Sequence, residues 1–252
     1  MSFQNKSVVV FGGASGLGWA TAHAMALKGA AVTVSDVRAE QAGSGADGMR
    51  RYVQADITDE AQVRRVLDAA VADHGRIDGV VNTAGVVMGE RVVGKQGAHS
   101  FDSFERVIRV NLIGAFNVLR LSAAAMSGNE PGESGERGVI VNTASIAAYD
   151  GQIGQVAYAA SKAGVVGMTL PAARDLARLA IRVVTLAPGM FATPMVEGLP
   201  TEVKTSLQSL VPFPSRFGTP REFAALVCHV FENQMLNGEV IRLDGALRMP
   251  PA

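Results

Sequence analysis

The chain has 252 residues, 48% of them apolar, enough for one large core and within the length that a single α/β domain reaches. Lysine plus arginine balance aspartate plus glutamate at 23 each, and no basic block occurs, so a nucleic-acid or membrane-surface partner is not expected and a small-molecule ligand is. The lone Cys228 excludes an internal disulfide or thiolate cluster and reads as a buried small hydrophobe, while His23, His74, His99 and His229 lack ligand spacing, so no metal is expected.

The first strand-like run begins near Ser7, which leaves no room here for a leader, and no apolar run approaches the roughly 18 residues of a membrane span. The expected location is the cytoplasm. Strands are predicted at 7–11, 31–36, 51–54, 78–83, 138–143, 181–187 and 239–242, with helices over 16–28, 59–74, 101–127, 155–179 and 220–232. Runs such as Val8–Phe11 and Val139–Val141 are continuously apolar, as strands covered on both faces are. The pattern predicts a single-domain α/β fold: a doubly wound parallel sheet of the Rossmann type with helices on both faces, spanning 1–252.

The first strand runs into Gly12-Gly13-Ala14-Ser15-Gly16-Leu17-Gly18 and then a helix. Gly12, Gly16 and Gly18 permit close backbone approach, so a pyrophosphate can rest on N–H groups around Ser15, Gly16 and Leu17 at the positive helix end. A glycine cluster alone also suits any tight turn; its place after the first strand favours the dinucleotide. Asp36 ends the second strand, 18 residues beyond Gly18, where a carboxylate accepts hydrogen bonds from the adenosine ribose and repels a 2′-phosphate. NAD is therefore expected over NADP, although Arg38 could meet that phosphate. Asp56, beside Ile57, could bond the adenine amino group or simply cap the next helix.

Two connections exceed what a βα turn needs: residues 86–100, which border a site or pack as filler, and the Gly/Glu-rich 128–137, predicted as solvent-exposed filler. The helix that follows the first contains Leu112–Met126, apolar almost all round, so one side lies on the sheet and another calls for a partner subunit. Ser145 lies just after strand 138–143, at the carboxyl end of the sheet, and Tyr158 and Lys162 stand one helical turn apart on a single face. A free tyrosine with a pKa near 10 is only about 0.1% ionised at pH 7, and a nearby ammonium, helped by the positive nicotinamide ring, can lower that pKa by roughly 1–3 units. Serine can then donate to the substrate oxygen as charge develops. Residues 189–218 hold four prolines and a helical spacing of Leu199, Val203, Leu207, Leu210 and Val211, predicting a lid or a packed insertion. Met190, Phe191, Met195, Val196 and Leu199 would line an apolar pocket or pack beneath it.

In order along the chain, Gly12-xxx-Gly16-x-Gly18, Asn82-Thr83-Ala84-Gly85, Asn111, Ser145, Tyr158-xxx-Lys162 and Pro188-Gly189 resemble the motifs of the short-chain dehydrogenase/reductase family. The resemblance implies an oxidoreductase that interconverts a secondary alcohol and a ketone, with Ser145, Tyr158 and Lys162 catalytic and Asn111 holding a water in the proton relay. It implies a cofactor site that includes Asn82, Ala84, Gly85, Tyr158, Lys162, Pro188, Gly189 and Thr193. Two positions depart from the pattern: Phe11 replaces a threonine whose hydroxyl steadies the glycine turn, and Thr83 replaces an asparagine.

The stretches 151–177, 211–216 and 236–249 are similar to a branch of that family acting on 3-hydroxyacyl-CoA thioesters, with relaxed acceptance of steroids and simple alcohols. This implies NAD, a homotetramer, and a substrate pocket bordered by Gln152 and Gln155 beside Ser145 and Tyr158; both glutamines could instead only stabilise their loop. A reductase of small ketones or other alcohols is the enzyme alternative. An NAD-binding sensor or scaffold is the non-enzyme alternative, and four filled catalytic positions argue against it.

Overall fold

The computed structural model describes residues 3–39, 49–95, 97–193, 196, 198 and 200–251. Its centre is a seven-stranded parallel sheet in the order β3-β2-β1-β4-β7-β8-β9, built from β1 (Ser7–Phe11), β2 (Ala31–Asp36), β3 (Met49–Gln54), β4 (Gly79–Asn82), β7 (Gly138–Thr143), β8 (Ile181–Pro188) and β9 (Val240–Leu243). From β1 the chain winds outward to β3, then returns to place β4 on the other side of β1. This reversal opens a crevice at the carboxyl ends of β1 and β4, the position at which open α/β sheets bind ligands.

The helices are α1 (Gly16–Leu27), α2 (Glu60–His74), α3 (Phe101–Ile108), α4 (Ala115–Ser127), α5 (Val156–Ala177), α6 (Thr201–Ser209) and α7 (Pro220–Glu232). β1 is buried at every position, and its residues alternate between two cores. Val8 and Val10 join Met25 of α1 and Phe223 and Phe231 of α7, whereas Val9 and Phe11 join Val63 and Leu67 of α2, Met126 of α4 and Ile140. An unbroken apolar run is thus a period-2 strand with both faces covered.

Most expected elements form with shifts of a few residues at their ends. The helix predicted over 101–127 is instead divided by a π turn, Arg109–Gly114, between α3 and α4. Asn111 lies in that turn, and a Cβ at Gly114 would stand 2.8 Å from Ile57 Cδ1, so the chain there approaches the cleft closely. Against expectation, the stretch Phe101–Ser127 is long and apolar enough to cross a membrane, but just over half of its apolar 18-residue segment is buried in this fold, as a core helix is. α5 continues through Pro171.

The connection 86–100 carries a small hairpin, β5 (Val93–Gly94) with β6 (Gly97–Ala98). The loop 128–137 is not mere exposed filler: Glu136 is buried and paired with Arg182 Nε at 2.5 Å, while Arg137 Nε donates to the Asn129 carbonyl. An ion pair out of water needs its remaining donors satisfied, and Arg182 also donates to the carbonyls of Val230 and Leu236, which ties this loop to the end of α7. The excursion after β8 contains α6, none of whose residues is fully buried, while Met195 and Leu199 lie outside the described residues. Burial pushes the Cys228 thiol up to about 11, in keeping with a small core hydrophobe.

Candidate active site

A cleft of about 910 Å³ runs along the carboxyl ends of the central strands. Its floor is the turn after β1. Gly12 has φ +75°, and a Cβ there would lie 2.5 Å from the Ala84 nitrogen; at Gly18 it would collide with the Gly12 carbonyl and the Thr83 hydroxyl. No side chain fits at either point, so backbone alone faces the cleft. Ser15 starts α1 without capping it, and its hydroxyl accepts from Arg38 Nη2 at 2.8 Å. The first N–H groups of α1 therefore lack a side-chain cap, as a pyrophosphate site requires. Gly12, Ser15, Gly16, Leu17 and Gly18 all line the cleft.

Thr83 accounts for the departure at position 11. Its hydroxyl lies 3.0 Å from the Phe11 carbonyl and 3.2 Å from that of Gly12, so the residue just after β4 supplies the donor that the fully buried Phe11 cannot. Only the tertiary pairing of β1 with β4 reveals this exchange.

Asp36 faces the cleft with both oxygens engaged. Oδ1 accepts from the Arg38 N–H and Nε, and Oδ2 accepts from the Ala14 N–H and Arg38 Nη2. Burial raises the Asp36 carboxyl, but these bonds and the Arg38 charge outweigh it and hold the group below the ordinary carboxylate range. Arg38 thus grips the very carboxylate expected to read the ribose. Asp56 and Ile57 also line the cleft. Asp56 accepts from the Thr58 N–H and hydroxyl, and the cap of α2 is Asp59, so the capping reading of Asp56 is corrected. Ala84, Gly85, Pro188, Gly189 and Thr193 complete the lining, whereas Asn82 is buried behind it and accepts from the Ala84 N–H at 3.2 Å.

At the other end of the cleft stand Ser145, Tyr158 and Lys162. Ser145 Oγ accepts from the Ala147 N–H at the start of a single 3₁₀ turn, and its hydroxyl lies close enough to the Tyr158 phenol to act on it. Lys162, only 4% exposed, donates to the Thr143 carbonyl at 2.8 Å, with its ammonium 5.8 Å from the centre of the Tyr158 ring. Desolvation lowers the Lys162 pKa to about 8. Burial raises the Tyr158 phenol and the Ser145 hydroxyl offsets this only in part; the depression expected of Lys162 together with a nicotinamide ring belongs to the cofactor-bound site. The side-chain amide of Asn111 is fully committed, accepting from the Val86 N–H and donating to the Val86 carbonyl and Ser161 Oγ.

Gln152 and Gln155 are not among the residues lining this cleft. They border a neighbouring depression of about 370 Å³ against Glu90–Val93 of the hairpin connection. Gln152 Nε2 donates to the Pro250 carbonyl, and its N–H donates to Gln155 Oε1, which is the loop-stabilising alternative. Met190, Phe191 and Val196 do line the cleft, although Phe191 is also packed edge-on against Phe223 in the core. Val86 and Val87 also line the cleft, so the start of the connection 86–100 does border the site; Arg106 and Arg109 were not anticipated, although they stand three apart just before Asn111, a spacing that could have drawn notice.

The short chain dehydrogenase family model matches residues 6–204. The chain is 51% identical over 253 residues to 3-hydroxyacyl-CoA dehydrogenase type-2 of Drosophila melanogaster, covering 98% of this chain and 99% of that protein. Identity to the Homo sapiens protein of the same name is 50% over 259 residues, covering 99% and 98%. A crystal structure of 3-hydroxyacyl-CoA dehydrogenase type-2 from Mycobacterium avium superposes with a TM-score of 0.94 at 42% identity, covering 99% of this chain and 98% of that one.

Proposed function

From the membership of this chain in the short-chain dehydrogenase family, which makes it an oxidoreductase of CH–OH groups that uses a nicotinamide cofactor, we propose an NAD-dependent oxidation of 3-hydroxyacyl-CoA to 3-oxoacyl-CoA. The observation that carries this reading is the convergence of Ser145, Tyr158 and Lys162 with the glycine turn and Asp36 in one cleft. The relatives' substrate supports the thioester, and Asp36 supports NAD.

In this reading the bound nicotinamide supplies the hydride acceptor and a positive charge near the phenol. Tyr158 takes the proton from the substrate hydroxyl, and Ser145, which lines the cleft with it, donates to the same substrate oxygen. Lys162, anchored on the Thr143 carbonyl, holds its ammonium beneath the ring and stabilises the phenolate. The Asn111 side chain, held by Val86 and Ser161, fixes the π turn beside the cleft. The exposed apolar side chains of Ile113 in the π turn and Phe116 on α4 support assembly with further copies, as a homotetramer, which sedimentation velocity would test.

A panel of 3-hydroxybutyryl-CoA, a hydroxysteroid and isopropanol, each with NAD and NADP and followed by cofactor absorbance, tests the proposal. The thioester with NAD is expected to give the highest kcat/KM. Faster turnover of the steroid or simple alcohol would transfer the assignment to that class, and preference for NADP would remove the NAD reading.

A further inference from the structure

Arg242, on the edge strand β9, makes more polar contacts than a surface strand residue needs. Its Nη2 meets Asp150 Oδ2 at 2.5 Å and the Leu247 carbonyl at 3.0 Å, its Nε meets Asp244 Oδ2 at 2.7 Å, and its guanidinium lies 5.2 Å from the centre of the Tyr149 ring. Both carboxylates are mostly shielded from water, so the pairs are less screened than exposed ones.

Each carboxylate backs a different wall of the catalytic cleft. Asp150 closes the short segment that begins at Ser145: its N–H donates to the Ile146 carbonyl, and Ile146 packs on Val211 and Leu247. Asp244 stands behind Gly189, where a Cβ would come within 2.8 Å of Asp244 Cβ, and the Gly189 N–H donates to the neighbouring Leu243 carbonyl. Gly189, which follows β8, and Ser145, which follows its neighbour β7, both line the cleft. One planar guanidinium therefore spans the backs of the serine wall and the Pro188–Gly189 wall, and its rigid fork fixes their separation.

We propose that Arg242 is a positioning residue of the dehydrogenase reaction: by bridging Asp150 and Asp244 it sets the place of Ser145 relative to the turn at Gly189. It touches neither substrate nor cofactor. The proposal rests on the dehydrogenase reading above, because it assigns its effect to the donor that Ser145 directs at the substrate oxygen, and small displacements of such a group cost rate steeply.

The test compares Asp150→Ala, Arg242→Gln, Arg242→Lys and the double variant Asp150→Ala/Arg242→Gln. Acetoacetyl-CoA and a cyclic ketone serve as acceptors, and turnover is expressed per NADH-binding site so that loss of folded protein does not count. Both Asp150→Ala and Arg242→Gln should lower per-site kcat by about 10-fold, with NADH affinity held within about 3-fold because the glycine turn and Asp36 are untouched. The double variant should be no worse than the poorer single, as one shared bridge requires, and Arg242→Lys should recover only part of the loss. Should Arg242→Gln not fold, Asp150→Ala decides the matter. Per-site turnover of Asp150→Ala within about 2-fold of the parent, or additive losses in the double variant, would overturn the proposal. Tyr158→Phe separates the two levels: if it stays active, the dehydrogenase reading fails; if it is inactive while Asp150→Ala is normal, only the role of Arg242 falls.

Discussion

Arg38 grips Asp36 through two side-chain bonds, Nε to Oδ1 at 3.0 Å and Nη2 to Oδ2 at 3.1 Å, at the place where the carboxylate faces the adenosine end of the cleft. The residue that should reject a 2′-phosphate thus carries its own counter-charge. Asp36→Ala should weaken NADH by about 10-fold, the loss of one charge-assisted contact, and free Arg38 to meet NADPH, so the NAD advantage shrinks from both sides. Asp36→Ala/Arg38→Ala should lose the NADPH gain while keeping the NADH deficit. Fluorescence titration of both nucleotides checks this; an unchanged NADPH affinity in Asp36→Ala would remove Arg38 from cofactor choice.

Tyr158 is the proposed acid and base and lines the cleft beside Ser145. Tyr158→Phe should leave NADH binding within about 2-fold while kcat falls by roughly three or more powers of ten. Stopped-flow turnover beside a binding titration measures both, and near-normal turnover would discard the mechanism.

Lys162 carries a stability cost that pH should reveal. Its folded pKa of about 8 lies below the ordinary 10.5, so below pH 8 it is charged in both states and the full desolvation cost of about 3 kcal/mol is present. As pH rises from 8 towards 10.5, the native state sheds a proton that the unfolded state keeps, and the cost is relieved. Lys162→Met should therefore raise the Tm of the nucleotide-free protein by a few degrees at pH 7, after about 1 kcal/mol is lost with the Thr143 bond, and abolish turnover. The Tm advantage should fade by pH 10.5; a gap independent of pH would mean that Lys162 is not desolvated as described.

Thr83 should prove necessary to the glycine turn. Thr83→Val keeps the side chain's shape but leaves the Phe11 and Gly12 carbonyls without that donor, at a cost of about 1 kcal/mol, and NADH affinity should fall by about 3- to 10-fold. Calorimetric titration with NADH checks this, and an unchanged Kd would show that the turn holds its shape through glycine alone.

Much of this protein follows from local patterns. Continuous apolar strands, the glycine turn opening α1, Asp36 at a strand end and the one-turn spacing of Tyr158 and Lys162 depend on residues near one another in the chain, and all of them reappear in the structure. What only the tertiary structure decided lies in contacts between distant segments. Thr83 replaces the missing hydroxyl at position 11 because β4 pairs with β1, and Glu136 becomes a buried partner because β8 brings Arg182 beneath its loop. Gln152 and Gln155 turn towards each other and Pro250 because the chain's last residues fold back onto their loop. Spacing places a lysine beside a tyrosine, but burial of both groups, a property of the whole fold, sets the dielectric in which one charge acts on the other.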